Sequence, residues 1–218
     1  FKKIISMLTK ALTAPFGASS NHILVICGVL FEALGRHCGE ELEEALTILG
    51  QRYDDQSAQR VHIEHAIFAA ISSIEISRVL KCIPLTDAQG TISVKRSWLL
   101  PLLREGLQNS SIEYFNGNII KLAYDCYTKW QKFKESDKKA EAHIYELLCC
   151  QLWGLFPGFC RKPKDLHNFK LIARTLGDVL NKNPDLRPPI LDQKITSRDF
   201  LIFTHPSPIH HTSVKLEL

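Results

Sequence analysis

The stretch that decides the fold is Gln151-Leu-Trp-Gly-Leu-Phe-Pro-Gly-Phe-Cys160, followed by Phe169-Lys-Leu-Ile-Ala-Arg-Thr-Leu-Gly177. The first segment ends an amphipathic helix, and Pro157 and Gly158 interrupt the helical pattern between large apolar side chains. The second segment begins another amphipathic helix. A helix end this rich in aromatic residues predicts a turn buried between stacked helices, which is typical of helical-repeat proteins.

We call the residues of this turn the aromatic corner, and we expect them to be structural. They are Trp153, Phe156, Pro157, Gly158, Phe159 and Cys160. Aromatic side chains can also stack on nucleic-acid bases. Their helical spacing beside a Pro-Gly pair favours burial in the core instead.

Helical periodicity also dominates the rest of the chain, and no segment alternates with period two over a useful length. Helices are predicted over about 57–72, 111–133, 140–154 and 166–182, with a polar loop at 85–94. The apolar stripes of the last two helices are Ile144, Leu147, Leu148 and Leu152, then Phe169, Ile172, Ala173, Leu176, Val179 and Leu180. The prediction is an all-α HEAT/armadillo-like solenoid of antiparallel helix pairs over 1–193. A compact helical bundle stays open, because no clean internal repeat is visible.

Residues 194–218 break the helical pattern. Residues 195–204 resemble a single strand that has no partner earlier in the chain, and Pro206 and Pro208 follow. We expect this tail to be disordered or poorly packed. Because the chain begins with Phe1 rather than Met, we interpret it as an excerpt from a longer protein.

Composition excludes several classes of protein. Hydrophobic residues make up 45% and charged residues 23%, a globular rather than disordered balance. The longest apolar run, 23–31, is roughly half of the ~20 residues that span a bilayer, so we expect no membrane segment. Seven cysteines without a Cys-x-x-Cys pair indicate reduced thiols that act as small core side chains.

No catalytic or metal-binding pattern is convincing. The pair His62 and His65 is three residues apart, whereas a zinc helix needs two His four apart. The adjacent Cys149 and Cys150 have no identifiable base to activate a thiolate. His205, His210 and His211 fall in the polar tail. We therefore predict a protein that is not an enzyme and needs no cofactor, metal or small-molecule substrate.

Positive charge is concentrated in the second half of the chain. Residues 120–190 contain thirteen basic and eight acidic residues, about +5, against +4 for the whole chain. Two clusters surround predicted helix connections: Lys129, Lys132, Lys134, Lys138 and Lys139, then Arg161, Lys162 and Lys164. Alternate connections of a solenoid lie on the same edge, so we expect the two clusters to converge as a candidate RNA-binding surface. Solvated loop lysines are the alternative.

Three blocks of sequence resemble a known family. They are Trp98-Leu-Leu-Pro-Leu-Leu-Arg104, the block Leu152–Cys160, and Phe169–Gly177 with Asn183-Pro-Asp-Leu-Arg-Pro188. In this order they resemble the family of ribosomal RNA-processing protein twelve, best over 92–192, with Trp98 and the aromatic corner as its structural motifs. The family continues past Leu191 with further repeats, whereas this chain enters its atypical tail.

The resemblance implies a long nucleolar HEAT/armadillo-repeat protein that assists the processing of pre-ribosomal RNA and the maturation and nuclear export of pre-ribosomal subunits. The implied partners are pre-ribosomal RNA, pre-ribosomal particles and the nuclear transport machinery, in the nucleus and nucleolus. A hypothesis of another class is an adaptor similar to a nuclear transport receptor, whose grooves between helices bind peptide segments.

Overall fold

The computed structural model describes residues 1–13, 19–55 and 58–191, which are mostly helical. Their α-helices are α1 (Lys2–Thr13), α2 (Ser20–Leu34), α3 (Glu43–Asp54), α4 (Arg60–Ser73), α5 (Ile76–Cys82), α6 (Leu99–Gly106), α7 (Ile112–Tyr114), α8 (Ile120–Glu135), α9 (Lys139–Trp153), α10 (Phe156–Phe159), α11 (Phe169–Lys182) and α12 (Arg187–Leu191). In those ranges the one β feature is an isolated antiparallel bridge between Thr86 and Ile92. The all-α prediction is confirmed.

The helices stack as two layers. Helices α1, α3 and α5 pack side by side in one layer, and α2, α4 and α6 pack side by side in the other. Helices α9 and α10 continue the second layer beyond α6. Helix α8 pairs with α9 in the most extensive helix contact within the described ranges. This stacking of successive antiparallel pairs is a helical-repeat solenoid.

The connections between helices form two opposite edges. Residues from four connections line one groove of about 640 Å³: 35–41, 72–75, 108–109 and Lys164. These four connections therefore lie together, and we call this side of the solenoid the first edge. A groove of about 580 Å³ is lined by residues of 53–55 and 86–98 together with Arg60, and it marks the second edge. The chain crosses from one edge to the other along each long helix.

The repeats are irregular in length, and this explains why no clean repeat is visible in the sequence. The helices or helical runs that leave the first edge begin at Lys2, Glu43, Ile76, Ile112 and Phe169, at unequal intervals. The long loop between α5 and α6 and the extra helix α10 lengthen individual repeats. The apolar stripes of the helices nevertheless join one continuous hydrophobic core.

The predicted helix 111–133 contains a π-helical segment. Helix α7 passes through a π-helical segment, Phe115–Ile119, directly into α8, so one helical run extends from Ile112 to Glu135. Such a turn widens the helix by one residue and rotates the residues that follow it. Phe115 and Ile119, the first and last residues of this segment, are both buried.

The prediction that Pro157 and Gly158 interrupt the helix is wrong in detail. Both residues lie inside α10, and the chain turns at Gly154 and Leu155 instead. Pro157 occupies the start of α10, where the missing N–H would have no helical partner in any case. All residues from Leu152 to Cys160 are buried.

Two predicted stripes are less buried than expected. Helix α9 buries Leu148 and Leu152, but Ile144 is 42% and Leu147 49% exposed, because α9 packs through the adjacent face that carries Cys149 and Trp153. In α11 only Ile172 is buried, and Ala173 is exposed. The other four residues of that stripe are half-buried.

The tail prediction for 194–218, including the strand-like segment and the three tail histidines, lies outside the described residues. The division into a 1–193 repeat segment and a separate tail therefore stays a prediction. None of the helices in the described part is both long and apolar enough to cross a membrane.

Candidate nucleic-acid interface

The first lysine cluster occupies the tip of the α8–α9 hairpin, and we call it the lysine tip. It comprises Lys129, Lys132, Lys134, Lys138 and Lys139. All but Lys129 are exposed. The connection between the helices is tight because Asp137 adopts a left-handed conformation with φ 55°. The hairpin therefore presents its lysines in a small area.

Aromatic rings hold three of these lysines in place. The Lys129 ammonium lies 5.1 Å from the centre of the Tyr145 ring, Lys134 lies 5.9 Å from that of Trp130, and Lys138 lies 5.8 Å from that of Phe133. A cation in this position is attracted by the negative face of the ring. The lysine tip is thus partly ordered, although its charges face solvent.

Two local interactions stabilise the positive charge of the lysine tip. Asp137 lies 3.8 Å from Lys139 in an exposed ion pair, the type that contributes little to stability. Lys132 and Lys134 lie in the last turn of α8, where positive charge also interacts favourably with the negative end of the helix dipole.

The lysine tip lies on the second edge of the solenoid. The pKa of Asp87 is lowered chiefly by hydrogen bonds from Thr91, and the charge of Lys129 lowers it further. Lys129 therefore lies close to the loop between α5 and α6. That loop contributes Lys95 and Arg96 to the same edge, and Arg96 is paired with Asp54 at 2.7 Å.

The second cluster has structural contacts on the first edge. The Arg161 guanidinium donates hydrogen bonds to the carbonyl oxygens of Glu105 at 2.8 Å and Arg104 at 3.2 Å, at the end of α6. Lys164 lies 3.6 Å from Glu75 and lines the first-edge groove. Lys162 is exposed and adopts a left-handed conformation with φ 53°.

The structure does not bring the two clusters together, so the expected convergence is wrong. The helical run from Ile112 to Glu135 begins at the first edge and ends at the second, a distance of about 35 Å at about 1.5 Å per residue. One long helix, α9, crosses the solenoid between the two clusters, and the four-residue α10 is too short to cross back. The two connections are therefore consecutive rather than alternate, and they lie on opposite edges.

The aromatic corner is part of the hydrophobic core. Trp153 is 5% exposed and Phe159 is fully buried. Their common neighbour is Phe115, whose ring centre lies 6.0 Å from that of Trp153, 5.4 Å from Phe156 and 5.1 Å from Phe159. Phe115 was not among the residues predicted for the corner, although its helical spacing from Ile112 and Ile119 was a signal for burial.

Gly158 and Trp98 have different structural roles. A Cβ atom on Gly158 would lie 2.7 Å from Cβ of Leu107, so only glycine allows α10 to approach the end of α6 this closely. Trp98 lies far from the corner, at the second edge, where its ring stacks on Tyr53 with 3.7 Å between centres. Trp98 Nε1 is buried and has no hydrogen-bond partner within the described residues.

The thiols and histidines of the described ranges form no group of three or more residues that could hold a metal ion together with Asp or Glu. Burial raises the pKa of Cys126 to about 12, and burial likewise raises the pKa of Cys149 and Cys150. A thiol with a raised pKa is a poor nucleophile at neutral pH. These side chains therefore act as small apolar groups.

Sequence comparison places this fold in a family. The profile described as "Ribosomal RNA-processing protein 12, HEAT repeats" matches residues 1–193. The chain belongs to the ribosomal RNA-processing protein 12 family. The match includes the first 91 residues, beyond the 92–192 region in which the sequence motifs are strongest.

Individual members of the ribosomal RNA-processing protein 12 family agree with this assignment. The chain is 49% identical to the RRP12-like protein of Drosophila melanogaster over 190 residues, covering 87% of this chain and 14% of the relative. It is 31% identical to the RRP12-like protein of Homo sapiens over 189 residues, covering 85% and 15%. It is 25% identical to Ribosomal RNA-processing protein 12 of Saccharomyces cerevisiae over 198 residues, covering 86% of this chain and 16% of the relative. The chain thus spans about one seventh of the relatives' length.

Proposed function

We propose that this chain is a non-enzymatic helical-repeat scaffold of a ribosome-biogenesis factor, and that it contacts pre-ribosomal RNA through the lysine tip. The processing of ribosomal RNA is named in the description of the matching family. Maturation and nuclear export of pre-ribosomal subunits, and a nuclear and nucleolar location, are the roles that we infer for the full-length protein. Pre-ribosomal particles are its proposed partners, with nuclear transport proteins as further candidates.

The observation that supports RNA contact is the lysine tip itself. Five lysines lie around one tight hairpin, and four of them are exposed. Among the described residues, Lys139 is the one of the five that forms an ion pair. Lysines that neutralise phosphates release counterions and so give RNA affinity that depends on salt. The second cluster is less suited to this role, because Arg161 binds backbone carbonyls and Lys164 is paired with Glu75.

The direct test uses charge reversal in the 218-residue chain. The tip variant carries Lys132→Glu, Lys134→Glu, Lys138→Glu and Lys139→Glu. The control variant carries Lys2→Glu, Lys3→Glu, Lys170→Glu and Lys182→Glu, which makes the same change in net charge at exposed lysines on α1 and α11. We expect the tip variant to lose RNA affinity at least tenfold more than the control variant, measured by fluorescence anisotropy at moderate salt.

Equal losses of RNA affinity in the two variants would contradict a local RNA site and leave only a general effect of net charge.

For the cellular role, we propose crosslinking the full-length protein in cells and sequencing the attached RNA. Enrichment of ribosomal RNA precursors is expected. Recovery of peptide segments from the grooves, without such RNA, would favour the adaptor hypothesis instead.

A further inference from the structure

Aromatic residues occupy every third position along the outer part of α8: Tyr124, Tyr127, Trp130 and Phe133. A step of three residues turns a helix by about 300°, so the four side chains form a stripe that winds over about half a turn. The stripe ends at the lysine tip. A contiguous exposed patch of apolar side chains marks an interaction site more often than single exposed side chains do.

Part of this stripe lies outside the hydrophobic core. Tyr127 packs against the core, whereas Tyr124, Trp130 and Phe133 belong neither to the core of the described residues nor to the side chains packed against it. Tyr124 is 69% exposed, and Trp130 is only half-buried. Packing in the hydrophobic core therefore does not account for their aromatic character.

The stripe is nevertheless ordered. Trp130 makes an edge contact with Tyr127, with ring centres 5.6 Å apart and an angle of 86° between the planes. Phe133 stacks on Tyr145 at 5.5 Å, and that tyrosine also carries the Lys129 ammonium. Tyr145 thus has partners already, while Tyr124 makes none of the ring or cation contacts found in the described part of the chain. Tyr124 is therefore the exposed ring of the stripe, and Trp130 is the half-buried ring beside the Lys134 ammonium.

Lysines and rings alternate in sequence over residues 127–134. The Lys134 ammonium lies 5.9 Å from the Trp130 ring centre, and Lys132 and Lys138 flank it in sequence. A nucleic-acid strand with unpaired bases offers the complementary pattern, because each nucleotide carries one phosphate and one flat base. A duplex offers phosphates alone to such a surface, because its bases are stacked and paired inside.

We propose that the lysine tip, together with Tyr124 and Trp130, binds unpaired stretches of RNA: the two rings stack on bases, and the lysines contact the phosphates. This inference rests on the proposed RNA-binding function and narrows it to single-stranded RNA. Each stacked base contributes to affinity with little dependence on sequence, so broad preference among unpaired sequences is expected.

The test compares two probes with the 218-residue chain, a 12-nucleotide unpaired RNA and a 16-base-pair RNA duplex, by fluorescence anisotropy. In the ring-deletion variant, Tyr124→Ala with Trp130→Ala, affinity for the unpaired probe should fall about tenfold or more, because each lost stacking contact weakens binding severalfold or more. Affinity for the duplex should change less than about twofold. A ring-retaining variant, Tyr124→Phe with Trp130→Phe, should bind the unpaired probe within about threefold of wild type.

Other outcomes separate the two proposals. If the ring-deletion variant binds both probes as wild type does while the tip charge-reversal variant binds neither, the lysines bind RNA but the stacking proposal is wrong. If charge reversal has no effect on either probe, RNA binding at this site fails altogether. If a polyglutamate peptide competes as well as unpaired RNA, the tip is a general anion site and the stacking proposal is overturned. Circular dichroism should show the same helix content in each variant, with a melting temperature within about 4 °C of wild type.

Discussion

The carboxylate of Asp165 accepts a hydrogen bond of 2.6 Å from the backbone N–H of Ile112, fifty-three residues earlier in the chain. It also accepts hydrogen bonds from the Glu113 N–H at 3.0 Å and from Ser111 Oγ at 2.8 Å. Asp165 thus caps the helical run that leads to the lysine tip, from the loop that follows the aromatic corner. A negative charge is favourable at this end of a helix.

The cap should make stability depend on pH. Burial alone would raise the pKa of Asp165, but the N–H groups of Glu113 and Ile112, with Ser111 and Asn168, outweigh it and lower that pKa from 3.8 to about 2. A group with a lowered folded-state pKa stabilises the fold above its unfolded pKa, and this contribution is lost as pH falls toward 2.

Asp165→Ala should therefore lower the free energy of unfolding by about 2 kcal/mol at pH 7, since a cap and two further hydrogen bonds are lost. Urea unfolding measures this effect. The difference between wild type and variant should shrink as pH is lowered from 5 toward 2. A difference that stays constant over this range would contradict capping by the charged carboxylate.

Trp153 and Trp130 should contribute very differently to the free energy of unfolding. Trp153→Ala should lower the free energy of unfolding by about 3–5 kcal/mol, because it leaves a cavity beside Phe115 in the core. Trp130→Ala should cost less than about 1 kcal/mol, because Trp130 is outside the core. Thermal or urea unfolding of both variants checks the contrast, and similar losses would contradict the assignment of one ring to the core and the other to a surface site.

Two glycines in helices should respond to alanine with opposite signs. Gly158→Ala should destabilise the fold by about 1–3 kcal/mol, because the new methyl group would meet Leu107. Gly177→Ala is the matched control in α11, where a Cβ would meet nothing within 4 Å, so it should stabilise by up to about 1 kcal/mol. If both variants are stabilised, α10 does not approach α6 as closely as described.

Removal of one acidic charge from the lysine tip should strengthen RNA binding. Asp137→Asn removes the charge paired with Lys139, and asparagine readily adopts the left-handed conformation found there. We expect RNA affinity to rise about two- to fivefold at low salt, and the gain to vanish at high salt. Asp178→Asn, which makes the same charge change on exposed α11, should have little effect.

Local patterns predicted the fold well. The 3.6-residue spacing of apolar residues located most long helices, because each buries one stripe between two layers. The same spacing could not show which face of α9 is buried, because Ile144 and Leu148 both fit a stripe and only packing against α8 selects between them. The π-turn at 115–119 has no sequence signal that periodicity can detect.

The candidate site was predicted in part. The lysines themselves were visible in the sequence, but their division between two edges follows from α9, the long helix that separates them, because the four-residue α10 is too short to cross back. The role of Arg161 in tying α10 to α6 also required knowledge of which carbonyls lie nearby. The exposed ring of Tyr124 gave no signal, since the same residue type at helical spacing is as often buried.

The proposed contact between lysine-tip ammonium groups and RNA phosphates is tested most directly by the salt dependence of binding. For a single-stranded probe, the slope of log affinity against log salt is about −0.7 for each phosphate neutralised. With Lys132, Lys134, Lys138 and Lys139 all changed to Gln, we expect the slope to become less steep by about 2–3, while the same change at Lys2, Lys3, Lys170 and Lys182 leaves it nearly unaltered. Equal slopes for wild type and the tip variant would contradict the proposed contact.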